Sequence, residues 1–157
     1  MNKKPQKRYV TKAKRKELQE ELDHLKNTRR GEIAKEIERA KSMGDLSENA
    51  EYQQAREDQA GVEGRISEIK EILKSAEIIK HRKSDVIEVG STVTLRKKYS
   101  SSEQMYQIVG SEETNMAERR ISHTSPLGEA LLGHVAGDTI EIETPGGGAV
   151  YHVELVE

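Results

Sequence analysis

Two carboxylates three positions apart, Asp45 and Glu48, are the residues whose type and spacing best suit chemistry in this sequence. They lie between two long, highly charged segments that have helical periodicity. The spacing D-x-x-E is that of a capping box, in which Asp45 caps early helical N–H groups and Glu48 reaches back. Ser47 could equally be the N-cap residue. In the other interpretation, the two acids are presented at a turn to something outside the protein.

The segment before this turn is predicted to be an amphipathic helix. Thr11 is a suitable N-cap residue, and Gly44 can take the positive φ with which many helices end. Arg29 interrupts the apolar stripe. The stripe consists of Leu18, Leu22, Leu25, Ile33, Ile37 and Ala40.

The segment after the turn has a cleaner helical pattern. Its apolar positions alternate by three and four, which predicts a heptad seam. The seam consists of Tyr52, Ala55, Gln59, Val62, Ile66, Ile69, Leu73 and Ala76, of which Gln59 is polar. Gly61 and Gly64 lie inside this helix and leave open a close approach of the two helices. Two such helices joined by a short turn are expected to pack antiparallel, with a tip near residues 44–48.

The hydrophobic period changes to two after a polar linker at residues 81–85, which predicts β-strands. The stretch Thr144-Pro-Gly-Gly-Gly148 is a strong turn signal between two of them. A short helical insertion, SPLGEALLGHVAG, interrupts the strands. We therefore predict an α+β protein of two domains, a coiled-coil hairpin at residues 1–84 and a small antiparallel sheet with one helix at residues 85–157.

Charge is distributed unevenly between these domains. Residues 1–84 hold 21 basic and 16 acidic side chains, whereas residues 85–157 hold 5 and 12. The asymmetry predicts two domains with separate electrostatic roles. Residues 1–16 carry eight basic residues and no acid. This tail could make weak contact with DNA or RNA, although a short basic tail is more often a solvated end.

Composition also bears on location and assembly. The chain has no Cys, which fits a reducing compartment. No apolar run reaches the roughly 18 residues needed to cross a membrane, and the basic N-terminus lacks the apolar core of a signal peptide. We expect a cytoplasmic protein with no membrane contact. We also expect a monomer, because a hairpin that pairs with itself needs no second copy.

The string around the two acids, GDLSENAEY followed by AREDQAGVEGRI, resembles the signature of the bacterial Gre transcript cleavage factors of the GreA type. The stretch YVTKAKRKELQEELDHLK is similar to the opening of that family's first helix. Residues 106–157 resemble the family's C-terminal domain nearly end to end. The resemblance covers about residues 8–156 and implies an antiparallel coiled coil followed by an FKBP-like domain.

This resemblance implies a transcription elongation factor whose partner is bacterial RNA polymerase. The coiled coil would enter the secondary channel and stimulate the polymerase's own cleavage of the nascent RNA 3′ end in backtracked, arrested complexes. No independent enzymatic activity is expected. Asp45 and Glu48 match the family's acid pair and would position a second Mg²⁺ and a water. Because Mg²⁺ is usually held by one or two carboxylates plus phosphate oxygens, the free protein is not expected to bind it tightly.

Five further residues fall in the matched motifs. Asn49 and Tyr52 could support the acids or contact RNA, although Tyr52 also fits the packing stripe of the second helix. Ser125, Pro126 and Leu127 lie in the motif ISHTSPLGEALLG. By resemblance this motif helps to form the polymerase-facing surface, and the alternative is a turn that caps the short helix.

Other functions are less consistent with the sequence. A channel-binding regulator that inhibits polymerase without supporting cleavage would alter the tip acids, which are intact here. A prolyl isomerase needs an aromatic-lined pocket, but residues 85–157 contain three Tyr and no Phe or Trp. A coiled-coil adaptor leaves the tip motif unexplained. The five His residues lack metal-ligand spacing, and His123 and His134 are expected to be structural or surface residues.

Overall fold

The computed structural model describes residues 7–45, 49–80 and 84–157. The chain forms two compact units, one made of residues 15–75 and the other of the chain before residue 15 together with residues 76–157. The predicted two-domain α+β class is therefore confirmed. The predicted domain boundary between residues 84 and 85 stays a prediction.

The hairpin unit consists of three helical stretches and one irregular turn. Helix α1 spans Lys12–His24, a π-helical turn spans Leu25–Arg29, α2 spans Arg30–Ser42 and α3 spans Ala50–Ser75. The predicted cap at the start of α1 is confirmed, because the Thr11 hydroxyl accepts a hydrogen bond from the Lys14 N–H at 3.1 Å. At the other end, Gly44 follows α2 with φ +132°, as its type predicted.

The π-helical turn lies where the apolar stripe of the sequence is interrupted. A π turn inserts one extra residue into the helical repeat and so shifts the phase of the stripe that follows. Arg29, the last residue of this turn, contacts the carboxylates of Glu32 at 3.0 Å and Glu36 at 3.4 Å. Its second terminal nitrogen lies 3.8 Å from Asp58 on α3. The break in the stripe thus places a cation between the helices.

Apolar burial in the hairpin follows the two predicted stripes with one exception. The buried side chains are Leu18, Leu22, Ile33, Ala40, Ala55, Ile66, Ile69 and Ile72. Near the end of α3, Ile72 is fully buried, whereas the predicted Leu73 is only half-buried. The suggestion that Gly61 and Gly64 allow close helix approach is wrong, because a Cβ at either position would meet nothing within 4 Å.

Ion pairs join the antiparallel helices beside this apolar seam. Arg65 of α3 donates to both carboxylate oxygens of Glu21 on α1, at 2.7 and 3.0 Å. Arg30 and Glu63 form a similar two-point pair, and the Arg30 guanidinium lowers the pKa of the Glu63 carboxyl. These groups are partly exposed and screened by solvent, so they help to set the register of the helices and contribute little stability.

The second unit contains a five-stranded sheet in the order β5-β4-β3-β7-β6. The strands are β3 (Thr92–Lys97), β4 (Glu103–Val109), β5 (Arg120–Ser122), β6 (Thr139–Thr144) and β7 (Gly147–Val156). The helix α4 spans Pro126–Leu131. One face of the sheet is covered by an apolar cluster of Ile87, Val93, Leu95, Ile108, Ile121, Leu131, Ile140 and Val153.

The sheet is mixed, whereas the sequence predicted an antiparallel one. Strand β5 pairs in parallel with β4, with Ile108 opposite Ile121. Two short 3₁₀ turns between these strands, at Ser111–Glu113 and Met116–Glu118, return the chain so that β5 runs in the same direction. The hairpin predicted at Thr144 is confirmed, with β6 and β7 paired antiparallel up to Thr144 and Gly147.

The sequence analysis also missed a small two-stranded parallel sheet in this unit. Strand β1 (Tyr9–Val10) pairs with β2 (Glu77–Ile78), which follows the hairpin. Next to β1, the backbone N–H and the hydroxyl of Thr11 donate to the Glu113 carboxylate at 2.8 and 2.6 Å.

Across the described residues, no helix combines the length and the hydrophobicity required to span a bilayer.

Candidate functional site

The tip of the hairpin carries the first acid of the predicted pair. Helix α2 ends at Ser42, and the chain passes through Met43 and Gly44 to Asp45, which is exposed. Glu48, the second acid, lies outside the described residues, as do Leu46 and Ser47. The role of the two acids stays a prediction.

Asn49 caps α3, so the capping-box interpretation with Asp45 as the N-cap is wrong. The Asn49 side-chain oxygen accepts a hydrogen bond from the Tyr52 N–H at 3.0 Å, which is the N3 position of a helix that begins at Ala50. The backbone oxygen of Asn49 accepts from Gln53 at 3.1 Å. The alternative cap, Ser47, lies outside the described residues.

The same Asn49 side chain also joins the two helices across the tip. Its amide nitrogen donates to the Ala40 carbonyl oxygen at 2.7 Å, which satisfies an acceptor in the last turn of α2. One amide therefore closes the end of one helix and the start of the other. Tyr52, the second predicted support residue, is half-buried and contributes its backbone N–H to this arrangement.

The surface around the tip combines charge with one large exposed apolar side chain. Met43, Asp45, Asn49, Ala50 and Glu51 line a shallow depression. Met43 is 64% exposed. Across the helices, a guanidinium nitrogen of Arg39 lies 3.8 Å from the Glu51 carboxylate. The depression is open to solvent and offers carboxylate oxygens to an incoming partner.

The second candidate region is the segment at residues 122–128, which we call the docking segment. The Ser125 hydroxyl donates to the Ser122 carbonyl oxygen at 2.7 Å and accepts from the Gly128 N–H at 3.1 Å, so Ser125 is the N-cap of α4. Pro126 occupies the first turn, where its missing N–H costs nothing. The turn that caps a short helix is therefore present, and contact with polymerase stays a prediction.

The docking segment is packed against its own backbone. A Cβ at Gly128 would lie 2.1 Å from the Ser122 carbonyl oxygen, so only glycine fits there without movement. Pro126 is exposed, while Leu127 is half-buried and packs on the apolar cluster of the sheet. Pro126 is thus the part of the predicted trio that is most available to a partner.

His123 and His134 behave as structural residues. His123 is buried, and the His134 ring lies 2.8 Å from the Asp138 carboxylate. The Val135 N–H and His134 together lower the pKa of Asp138. Within residues 7–45, 49–80 and 84–157, no group of three or more His, Cys, Asp or Glu side chains is placed to hold a metal ion.

Comparisons with known proteins agree with this architecture. Residues 8–78 match the family described as "Transcription elongation factor, N-terminal", and residues 82–157 match "Transcription elongation factor, GreA/GreB, C-term". The transcription elongation factor GreA of Halalkalibacterium halodurans is 46% identical over 90% of each chain. That of Clostridium acetobutylicum is 46% identical over 97% of this chain and 98% of its own.

A solved structure is also similar in sequence. The GreA factor homolog 1 of Thermus thermophilus is 29% identical, covers 97% of this chain and 99% of its own, and aligns with a TM-score of 0.44.

Proposed function

The chain belongs to the GreA/GreB family of transcription elongation factors, and from this we propose that it stimulates RNA cleavage by RNA polymerase in backtracked, arrested complexes. The hydrolytic centre is that of the polymerase, and this chain has no separate enzymatic activity. The hairpin enters the secondary channel and brings Asp45 and Glu48 to the 3′ end of the nascent RNA.

The observation that supports this proposal is that Asn49, and not Asp45, caps the helix at the tip. Asn49 supplies both the cap of α3 and the bridge to α2, so the N-cap role does not fall to Asp45. Asp45 is exposed at the end of a helix pair in which α3 has 26 residues. At about 1.5 Å per residue, that helix is a rod of roughly 39 Å, long enough to carry a carboxylate into a narrow channel.

The donor chemistry of the tip suits Mg²⁺ as part of a shared site. Carboxylate oxygens are the hard ligands that Mg²⁺ prefers, and one or two of them commonly act together with phosphate oxygens. Asp45 and Glu48 would hold the ion jointly with the polymerase and the RNA, and the free chain would bind it weakly. When bound, a second Mg²⁺ helps to activate water and to stabilise the leaving oxygen in phosphodiester hydrolysis.

The residues of this chain have distinct tasks in the proposed mechanism. The Asp45 and Glu48 carboxylates occupy the side of the polymerase active site that faces the channel. There they orient a water molecule by accepting its hydrogen bonds. Asn49 joins the ends of the two helices between which both acids lie in the sequence. Ser125, Pro126 and Leu127 contact the polymerase outside the channel, with the exposed ring of Pro126 foremost.

The test is RNA cleavage in stalled, backtracked elongation complexes with Mg²⁺ present. The wild type should accelerate release of 3′ RNA fragments. The double variant Asp45→Asn with Glu48→Gln should lose this acceleration by about a hundredfold, the usual scale for removing preorganised transition-state stabilisation. Its affinity for polymerase should stay nearly unchanged.

A matched control removes two exposed carboxylates from α3, away from the tip. Glu57→Gln with Glu71→Gln changes the net charge equally and should cleave like the wild type. If the wild type binds polymerase without accelerating cleavage, the chain is instead a channel-binding inhibitor. If the Asp45/Glu48 variant loses affinity in parallel with cleavage, the acids serve docking and the metal role is wrong.

A further inference from the structure

The turn between β3 and β4 presents an aromatic ring to solvent. Tyr99, in this turn, is 96% exposed. Aromatic rings usually contribute much of the apolar burial in a core, and this chain has only five Tyr and no Phe or Trp. At its exposure the Tyr99 ring adds nothing to the core of the sheet. Packing therefore does not explain an aromatic residue at this position.

The backbone conformation of Tyr99 is also unusual. Its φ is +67°, a left-handed conformation in which the Cβ of a bulky residue is crowded by its own backbone. The Ser100 N–H donates to the Lys97 carbonyl oxygen at 2.9 Å, so the chain reverses tightly here. Glycine would adopt this φ without steric cost. A tyrosine in its place lowers stability, and residues held in such conformations cluster at functional sites.

Cations adjoin the ring in a part of the chain that is otherwise acidic. Of the five basic residues between positions 85 and 157, three are consecutive, namely Arg96, Lys97 and Lys98. The Lys98 ammonium lies 5.3 Å from the centroid of the Tyr99 ring, within the range of a cation–π contact. Arg96 donates to the Glu154 carboxylate at 2.6 Å, so its charge is already paired. Lys97 and Lys98 are exposed and offer two ammonium groups to an anionic partner.

A single strand of nucleic acid carries both groups that this combination can bind. Its bases have flat π faces that stack on an aromatic ring, and its phosphates are anions that nearby ammonium groups neutralise. An acidic peptide would pair with the lysines but would leave the Tyr99 ring without a stacking partner. In a duplex the bases stack on one another, whereas unpaired bases are free to stack on a side chain. The exposed ring therefore favours a single strand.

We propose that Lys97, Lys98 and Tyr99, which we call the turn site, bind single-stranded nucleic acid. One base stacks on the Tyr99 ring, and two phosphates lie next to the two ammonium groups. A site with one ring and two charges binds weakly and with little preference for base sequence. This inference does not depend on the proposed role of the tip acids, because binding at the turn site needs no polymerase.

The first experiment measures binding of the full-length chain to fluorescent oligouridine and oligothymidine of about ten nucleotides, a length in the usual range for such sites. Tyr99→Gly should weaken binding on the order of tenfold, the scale of one base stacked on an aromatic ring, while Tyr99→Phe keeps the π face and should bind like the wild type. Binding of either probe supports the proposal, and the ratio of the two affinities shows whether the strand is RNA or DNA.

The glycine variant also controls for folding. Because glycine adopts the left-handed φ freely, Tyr99→Gly should melt at a higher temperature than the wild type, so its weaker binding would not come from misfolding. A lower melting temperature would contradict the strain on which the proposal rests. Equal binding by Tyr99→Gly and the wild type, or no binding of either probe, would overturn the proposal.

The second experiment tests the phosphate contacts through their salt dependence. Each phosphate contact to a single strand adds about 0.7 to the slope of log affinity against log salt concentration, so Lys97→Gln with Lys98→Gln should make the slope shallower by about 1.4. Lys70→Gln with Lys74→Gln removes two exposed lysines from α3 and should leave the slope unchanged. An unchanged slope in the Lys97/Lys98 variant would show that these lysines contact no phosphate.

Two further measurements separate the turn site from other ways of binding an anion. Amide chemical-shift changes on addition of oligouridine should centre on residues 97–102. Changes confined to residues 1–16 would assign the binding to the basic tail and overturn the proposal. A polyglutamate peptide of equal charge should compete poorly. If it displaces the probe as well as unlabelled oligouridine does, the site binds acidic peptides by charge alone and the stacking role of Tyr99 is wrong.

Discussion

The hairpin tip and the docking segment both present candidate functional residues, yet different kinds of contact hold them in place. At the tip, a single side chain makes the contacts: the Asn49 amide caps α3 and donates a hydrogen bond to the Ala40 carbonyl oxygen of α2. In the docking segment, backbone lies against backbone, with Gly128 next to the Ser122 carbonyl. Substitution of exposed residues at the tip should therefore cost little stability, whereas the docking segment tolerates almost no added side-chain volume.

The difference matches the two proposed tasks. Carboxylates delivered into another protein's active site need a firm base and an open end. A surface that binds a partner gains affinity when its shape is set before binding, since less conformational entropy is lost. Substitutions at Gly128, Asn49 and Gly61 distinguish packed backbone from a side-chain bridge and from open space.

The largest effect is expected for Gly128→Ala. The new methyl group would overlap the Ser122 carbonyl oxygen, so the segment must shift, at a cost of about 1–3 kcal/mol in the free energy of unfolding. Urea denaturation measures this cost, and polymerase affinity should fall as well. Gly148→Ala, in the same unit with nothing within 4 Å of the added Cβ, should be close to neutral. Equal effects of the two changes would refute the packing argument.

An intermediate effect is expected for Asn49→Ala. This change removes the cap of α3 and the donor to the Ala40 carbonyl, for a loss of about 1–2 kcal/mol. Asn49→Asp keeps an acceptor for the Tyr52 N–H but removes the donor to Ala40, so it should lose less. Helix-band circular dichroism during urea denaturation compares the two. If Asn49→Asp lowers the free energy of unfolding as much as Asn49→Ala does, the hydrogen bond to Ala40 contributes more stability than the cap of α3.

The smallest effect is a gain, expected for Gly61→Ala. The glycine lies in α3 with open space where a Cβ would be added, so alanine reduces the entropy lost on folding and should stabilise the hairpin by about 0.5–1 kcal/mol. Thermal unfolding should move to higher temperature, and Gly64→Ala should behave in the same way. A loss of stability instead would mean that the helices approach each other closely at these glycines after all.

Local chemistry explains the parts of the fold that the sequence predicted. The Thr11 cap, the glycine after α2 and the turn at Thr144 each depend on a few neighbouring residues, and all three are present. The helical stripes and the two-residue period of the strands are local patterns too. The interruption at Arg29 was visible, but a sequence pattern does not distinguish a π turn from a gap in the stripe.

The features that only the tertiary structure decided join residues far apart in the chain. Asn49 was a possible cap by type, yet its bond to Ala40 depends on how the chain closes the tip. Strand β5 is parallel because two short turns reverse the chain before it. His123 meets Lys7 from 116 positions away. Periodicity and caps record what a residue does to its neighbours in sequence, whereas such contacts depend on which backbone groups the finished fold leaves opposite one another.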